Sequence, residues 1–156
     1  MALFDDEPPL VTVRPLRLRR DGGGNGEAPR RRFLRQVLVI FYGLAGVLHL
    51  AMPRPFVGIV PGWVPWPGPV VLATGVAELL GAAALAQGRW PWLRRAGGWG
   101  LALYALCVWP ANFHHMMLDM ARPGHGVWLL YHVPRLLAQP LLIWAALWAA
   151  GVRFRR

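Results

Sequence analysis

The sequence predicts an all-α integral membrane protein: a four-helix bundle with a short interfacial Pro/Trp-rich segment after the first helix. Three observations predict it. Of 156 residues, 56% are hydrophobic, and they fall in long blocks instead of the interrupted pattern of a soluble core. Each block is near the ~20 residues that carry a helix across ~30 Å of hydrocarbon. The formal net charge is +10 without a single lysine, and the arginines gather at the ends of the blocks, as topology and anionic headgroups require. Helices are the expected form, because backbone groups in lipid must be paired within their own segment.

Residues 1–29 read as a flexible cytoplasmic tail. Asp5, Asp6 and Glu7, a basic patch from Arg14 to Arg20 and the run from Asp21 to Gly26 have little to bury. No apolar core follows a basic start there, so the tail is not expected to be a signal peptide. Residues 30–156 form the predicted transmembrane domain, with spans at 33–51, 68–87, 96–118 and 127–151. Arg30, Arg31, Arg32 and Arg35 precede the first span, Arg89, Arg94 and Arg95 lie between the second and third, and Arg153, Arg155 and Arg156 follow the fourth. The opposite connections hold only Arg54 and Arg122. The positive-inside rule then places the chain in the inner membrane with both termini cytoplasmic. Trp63, Trp66, Trp90, Trp92 and Trp128 fall near span ends, where interfacial anchors belong. The connection from Met52 to Pro69 is too rich in proline for one regular helix and too apolar for a solvated loop. It is expected on the outer membrane surface across the bundle mouth, as a stiff linker or as a lid.

Composition excludes several functions. The same charge in a soluble chain would suggest nucleic acid, but the basic residues form no recognition module. Cys107 is the one cysteine, so neither an internal disulfide nor Cys-x-x-Cys redox chemistry is available. The chain has no serine, which excludes a Ser/His/Asp triad.

The polar residues inside the spans carry the functional question. An ionisable group at membrane depth is costly and faces the bundle interior or a cavity. From the helical rise, Glu78 lies ~15 Å and Arg135 ~12 Å below the outer boundary, with His49 and Asn112 within ~10 Å of it. One such residue comes from each span. Helical spacing adds neighbours on the same faces: Tyr42 with His49, Thr74 with Glu78, and Tyr131 and Gln139 with Arg135. Glu78 and Arg135 are the natural ion pair, since a buried carboxylate needs a partner. Pro110 and Pro134 free backbone carbonyls nearby. His49, Glu78, Asn112, Arg135, Gln139, Tyr42 and Thr74 are the candidate ligand-binding residues. An amphipathic ligand whose polar head enters from the outer half, such as a quinone or sterol-like lipid, fits them.

Other readings use the same residues. The cluster could simply lock the helices together. His49 with His114 or His132 could hold haem b. His114 and His115 near Asp119 could hold a metal, but adjacent histidines diverge on a helix, so no metal site is expected. His125 is expected to be solvated.

At these residues the chain resembles the DoxX-like family of small bacterial membrane proteins, over about residues 33–151. The resemblance rests on Tyr42–His49 (YGLAGVLH), Ile59–Pro67 (IVPGWVPWP), Gly75–Gly81 (GVAELLG), Trp109–Asn112 (WPAN), and Arg135 followed by Gln139–Trp144 (QPLLIW). It differs where Pro134 precedes the arginine instead of following it. The resemblance implies a four-helix inner-membrane protein and maps the family's histidine, glutamate, asparagine and arginine onto His49, Glu78, Asn112 and Arg135. The family's founding name is tied to a quinone-reducing membrane oxidoreductase, and other members to redox defence and membrane-complex assembly. The expected function is therefore quinone or small-lipid binding in the bilayer, as a subunit beside a redox partner protein or as a homo-oligomer. A lipid isomerase-like enzyme and a non-catalytic assembly or stability partner are the alternatives, with catalytic residues unassigned.

Overall fold

The computed structural model describes residues 28–124 and 126–152. The tail expected over 1–29 lies outside them but for its last two residues, as do His125, Arg153, Arg155 and Arg156. All regular structure among the described residues is helical: α1 (Pro29–Ala51), α2 (Pro53–Val57), α3 (Pro67–Ala86), α4 (Pro91–Met120) and α5 (Gly126–Ala149).

Proline explains where most of these helices start. α1 to α4 each carry it in the first two positions, and none of the four has a side-chain cap. A helix's first turn has no use for that N–H, and the ring presets φ. This is why α1 begins at Pro29 rather than at the apolar boundary near residue 33, and α4 at Pro91 rather than near 96. Helix continuity depends on backbone pairing, while the apolar blocks mark only the part that needs burial. Pro110 lies within α4, and Pro134 and Pro140 within α5. The Pro/Trp-rich connection is partly helical, as α2, and then runs through turns to Trp66. Trp66 adopts φ 51, in the left-handed region that non-glycine residues rarely occupy.

The four long helices close a ring. α1 packs on α3, α3 on α4, α4 on α5, and α5 returns to α1. Neighbours are antiparallel. Arg35 donates to the Leu85 carbonyl at 2.9 Å, while Gly46 meets Gly75 further along both helices. Gly98 sits against Ala146 and Ala150, while Gln139 reaches Ala105. A Cβ on Gly46 would lie 2.8 Å from the Gly75 carbonyl oxygen, so the absence of a side chain sets how closely α1 and α3 approach.

The ring is filled at one end and hollow at the other. Leu38, Leu85, Leu101, Ala146 and Ala149 form a packed core near the Arg35 end, with Tyr42 at its upper edge. Beyond Tyr42 the helices surround open space. The outward faces are apolar, with Ile40, Leu80, Leu103, Leu130 and Leu137 all exposed. α1 and α3 are long and apolar enough to cross a membrane, with mean hydropathies of 1.7 and 1.8 over their most apolar stretches.

Candidate functional site

The hollow end is a cavity of about 850 Å³ with largely apolar walls. Every helix of the ring contributes. α1 supplies Tyr42 and His49, α3 supplies Thr74 and Glu78, α4 supplies Asn112, and α5 supplies Arg135 and Gln139. The seven residues singled out from the sequence thus line one space. Residues of the connection, among them Phe56, Ile59, Pro61 and Trp63, form its remaining wall.

Two contacts hold that wall in place. Phe56 stacks on the His49 ring, with centroids 3.8 Å apart and planes at 23°. His114 Nδ1 donates to the Ile59 carbonyl at 3.0 Å. His114 therefore points at the connection, not at lipid headgroups, while its neighbour His115 points elsewhere, as successive positions on a helix must.

Glu78 is 3% exposed. Its Oε1 accepts a 2.6 Å hydrogen bond from the Tyr104 hydroxyl. Its Oε2 lies 3.0 Å from His49 Nδ1 but meets no hydrogen-bond geometry and is buried without a donor. A carbonyl can only accept, so the 2.9 Å contact between His49 Nδ1 and the Ala45 carbonyl places a proton on Nδ1. In a neutral ring, Nε2 is then the acceptor. The Tyr42 hydroxyl is a second buried polar atom with no partner. Thr74 donates to the Val71 carbonyl at 2.7 Å. Gln139 donates to the Ala105 carbonyl at 3.1 Å, which leaves its amide oxygen as the remaining acceptor.

The expected Glu78–Arg135 pair does not form, and the ring order explains it. α3 packs between α1 and α4, so Glu78 meets His49 and Tyr104 from those two helices. Arg135 stands on α5, across the cavity. Its guanidinium lies 5.6 Å from the Tyr131 ring centroid and donates to His115 Nδ1 at 2.7 Å. Tyr104, the main partner of Glu78, was not singled out in the sequence. It lies eight residues before Asn112 on the same helix, and that spacing was the available signal.

A second polar cluster lies beyond Arg135, where α4 meets α5. Asp119 Oδ2 is 3.0 Å from His132 Nε2 and 3.2 Å from His115 Nε2, and Oδ1 is 3.1 Å from the Arg122 guanidinium. His132 is fully buried, and its Nδ1 has no partner. The sequence offered His132 as a haem ligand opposite His49; in the structure His132 Nε2 is turned to Asp119, while Nδ1 of His49 and of His114 contact the Ala45 and Ile59 carbonyls. His115 and Asp119 are four apart on one helix face, which is visible in the sequence. That His132 joins them from the next helix is not.

Comparison with known proteins corrects the family expectation. The match is to the family described as a domain of unknown function, DUF8561, over residues 38–150, and nothing supports DoxX-like membership. The quoted blocks are short, and helix packing alone selects much of them: glycine where helices approach, polar residues facing the bundle interior. Unrelated bundles meet the same demands with the same residues. No curated protein and no solved structure matches the chain. Since the match spans most of the four-helix ring and the residues that line its cavity, the chain belongs to the DUF8561 family.

Proposed function

We propose that the chain is a four-span inner-membrane protein, with both termini cytoplasmic, that holds one amphipathic molecule in its cavity: a quinone or a small lipid. One observation carries this reading. Two buried polar atoms without a hydrogen bond, Tyr42 Oη and Glu78 Oε2, belong to residues that line a large and mostly apolar space. Buried polar groups are nearly always satisfied. A ligand that supplies a hydroxyl or carbonyl there, and carries an apolar body along the walls, satisfies both demands. Tyr42 donates to a ligand carbonyl, Glu78 accepts from a ligand hydroxyl, and Asn112 can do either. Arg135 and the Gln139 amide oxygen provide further polar contacts on the opposite wall.

The membrane placement is supported by α1 and α3 and by the apolar outward faces of α4 and α5. Leu130 and Leu137 are 79% and 68% exposed, and contiguous apolar surface of this kind calls for lipid or protein cover. Arg30–Arg35 and Arg89–Arg95 share one end of the bundle, and the positive-inside rule makes that end cytoplasmic. The cavity then opens toward the outer half. The described residues carry no dithiol or other redox motif, so electron transfer through a bound quinone would require a redox partner protein.

The test is mass spectrometry of the organic extract of protein purified in mild detergent. Wild type should retain a discrete quinone or lipid at near-stoichiometric amount. Glu78→Gln removes the unpaired acceptor, and Ala138→Phe fills the space without touching a polar group; both should lose it. Bulk-like lipid in all three preparations would overturn the reading and favour a non-catalytic assembly role.

One observation favours an enzymatic variant of the same site. Glu78 Oε2 makes no hydrogen bond and has the protonated His49 Nδ1 3.0 Å away, a setting suited to taking a proton from one carbon of a bound lipid and returning it to another. A lipid isomerase-like enzyme would exchange solvent deuterium into its ligand, and exchange should stop in Glu78→Gln. No label in the wild-type ligand would remove this variant and leave simple binding.

A further inference from the structure

We propose that His115, Asp119 and His132 form a site for a divalent transition metal of the zinc class, separate from the cavity ligand. Two imidazole nitrogens and one carboxylate oxygen from these side chains all lie within 4.8 Å of one another. Ligands on one tetrahedral zinc, with bonds near 2.0–2.1 Å, stand about 3.3 Å apart. The observed separations from Asp119 Oδ2 are 3.2 Å to His115 Nε2 and 3.0 Å to His132 Nε2. Both imidazole nitrogens thus already stand near ligand spacing from the carboxylate oxygen, and a small outward shift of His132 admits the ion.

The surroundings also suit a metal. All three ligands stand on helices, with His115 and Asp119 one turn apart on α4 and His132 facing them from α5. Such placement preorganises a site. Arg122 takes Oδ1 and leaves Oδ2 to the ion. His132 is fully buried with an unpartnered Nδ1, so shifting its proton from Nε2 to Nδ1 breaks no bond at Nδ1. His115 is partly exposed, which leaves a coordination position open to solvent or a small ligand, as in sites with three protein ligands. With two of three donors imidazole, zinc, cobalt or ferrous iron is preferred over calcium or magnesium.

The same chemistry couples the site to Arg135. Arg135 donates to His115 Nδ1 at 2.7 Å, which keeps the His115 proton on Nε2. Coordination needs the Nε2 lone pair. The proton must then move to Nδ1, and Arg135 must let go. No net proton leaves either ring. Arg135 lines the cavity, so metal binding frees a cation toward the ligand space.

The experiment is cobalt titration of the full chain, purified without a histidine tag and stripped with chelator, with ligand-field absorption as the readout. Wild type should bind one equivalent with an intense visible spectrum. His115→Asn, which changes the most exposed ligand, should bind at least about tenfold more weakly while melting like wild type. His114→Asn should bind like wild type. Arg135→Gln should bind more tightly, because a glutamine carbonyl can accept from Nδ1–H where the guanidinium opposes it. A folded wild type without a specific cobalt spectrum, a His115→Asn titration equal to wild type, or weaker binding in Arg135→Gln would each overturn the proposal.

Discussion

Glu78 and Asp119 are both carboxylates, both only 3% exposed, and both toward the hollow end of the bundle. Their surroundings treat them oppositely. Asp119 has nitrogen neighbours on both oxygens, from two histidines and an arginine. Glu78 has one oxygen bonded to Tyr104 and the other beside open space, 3.0 Å from His49 Nδ1 but without a hydrogen bond. A saturated carboxylate between two helices fixes their relative position and orients what surrounds it. A half-satisfied one next to a cavity carries an unmet demand, and the chain tolerates it only when something else meets it. On the proposed reading, Glu78 meets the cavity ligand while Asp119 ties α4 to α5 until a metal takes its Oδ2.

The comparison breaks most easily at the saturated site. His132→Ala deletes a fully buried ring, leaves a cavity between α4 and α5, and strips Asp119 of a donor. A loss of about 3 kcal/mol is expected from the cavity and the unpaired group together. Tryptophan fluorescence during unfolding in detergent measures it, and a loss below about 1 kcal/mol would show that the cluster does not hold the helices.

A smaller effect separates packing from polar contacts at the α1–α3 seam. A Cβ on Gly46 meets the Gly75 carbonyl at 2.8 Å, whereas one on Gly43 meets nothing within 4 Å. Backbone cannot step aside as a side chain can, so Gly46→Ala should cost about 1–3 kcal/mol. Gly43→Ala should be neutral, or stabilising by up to about 1 kcal/mol through backbone entropy. Equal melting temperatures for the two variants would mean that the close approach is not a constraint.

These contrasts also show what a linear sequence can reveal. Depth and face follow from rise and period along one helix, and that arithmetic brought His49, Glu78, Asn112 and Arg135 to one level, where they line one cavity. Partnership does not follow, because it depends on which helices are neighbours. Pairing Glu78 with Arg135 assumed that α3 and α5 touch, but the ring sets them across the cavity and gives Glu78 to Tyr104 and His49. His132 was hidden for the same reason: thirteen residues and a turn separate it from Asp119, and only the antiparallel register of α4 and α5 joins them. The helix starts at Pro29 and Pro91 were legible as proline signals, but the apolar blocks drew attention inward from them.

Tyr104→Phe comes next in size. It removes the 2.6 Å hydrogen bond and leaves both Glu78 oxygens without a hydrogen bond, which should cost about 1–2 kcal/mol in the same unfolding measurement.

The smallest change in stability belongs to the residue with the largest expected role. Glu78→Gln keeps an amide oxygen for the Tyr104 hydroxyl and places an NH2 where Oε2 was buried without a donor. The altered side chain breaks no existing hydrogen bond and gives up only the 3.0 Å contact with His49, so stability should fall by no more than about 1 kcal/mol. Ligand retention should nonetheless fall, because a donor now stands where an acceptor was required. That dissociation of stability from occupancy is what separates the two carboxylates. If Glu78→Gln instead destabilised the bundle as strongly as His132→Ala, Glu78 would be a structural tie like Asp119, and the cavity would have to be explained by packing alone.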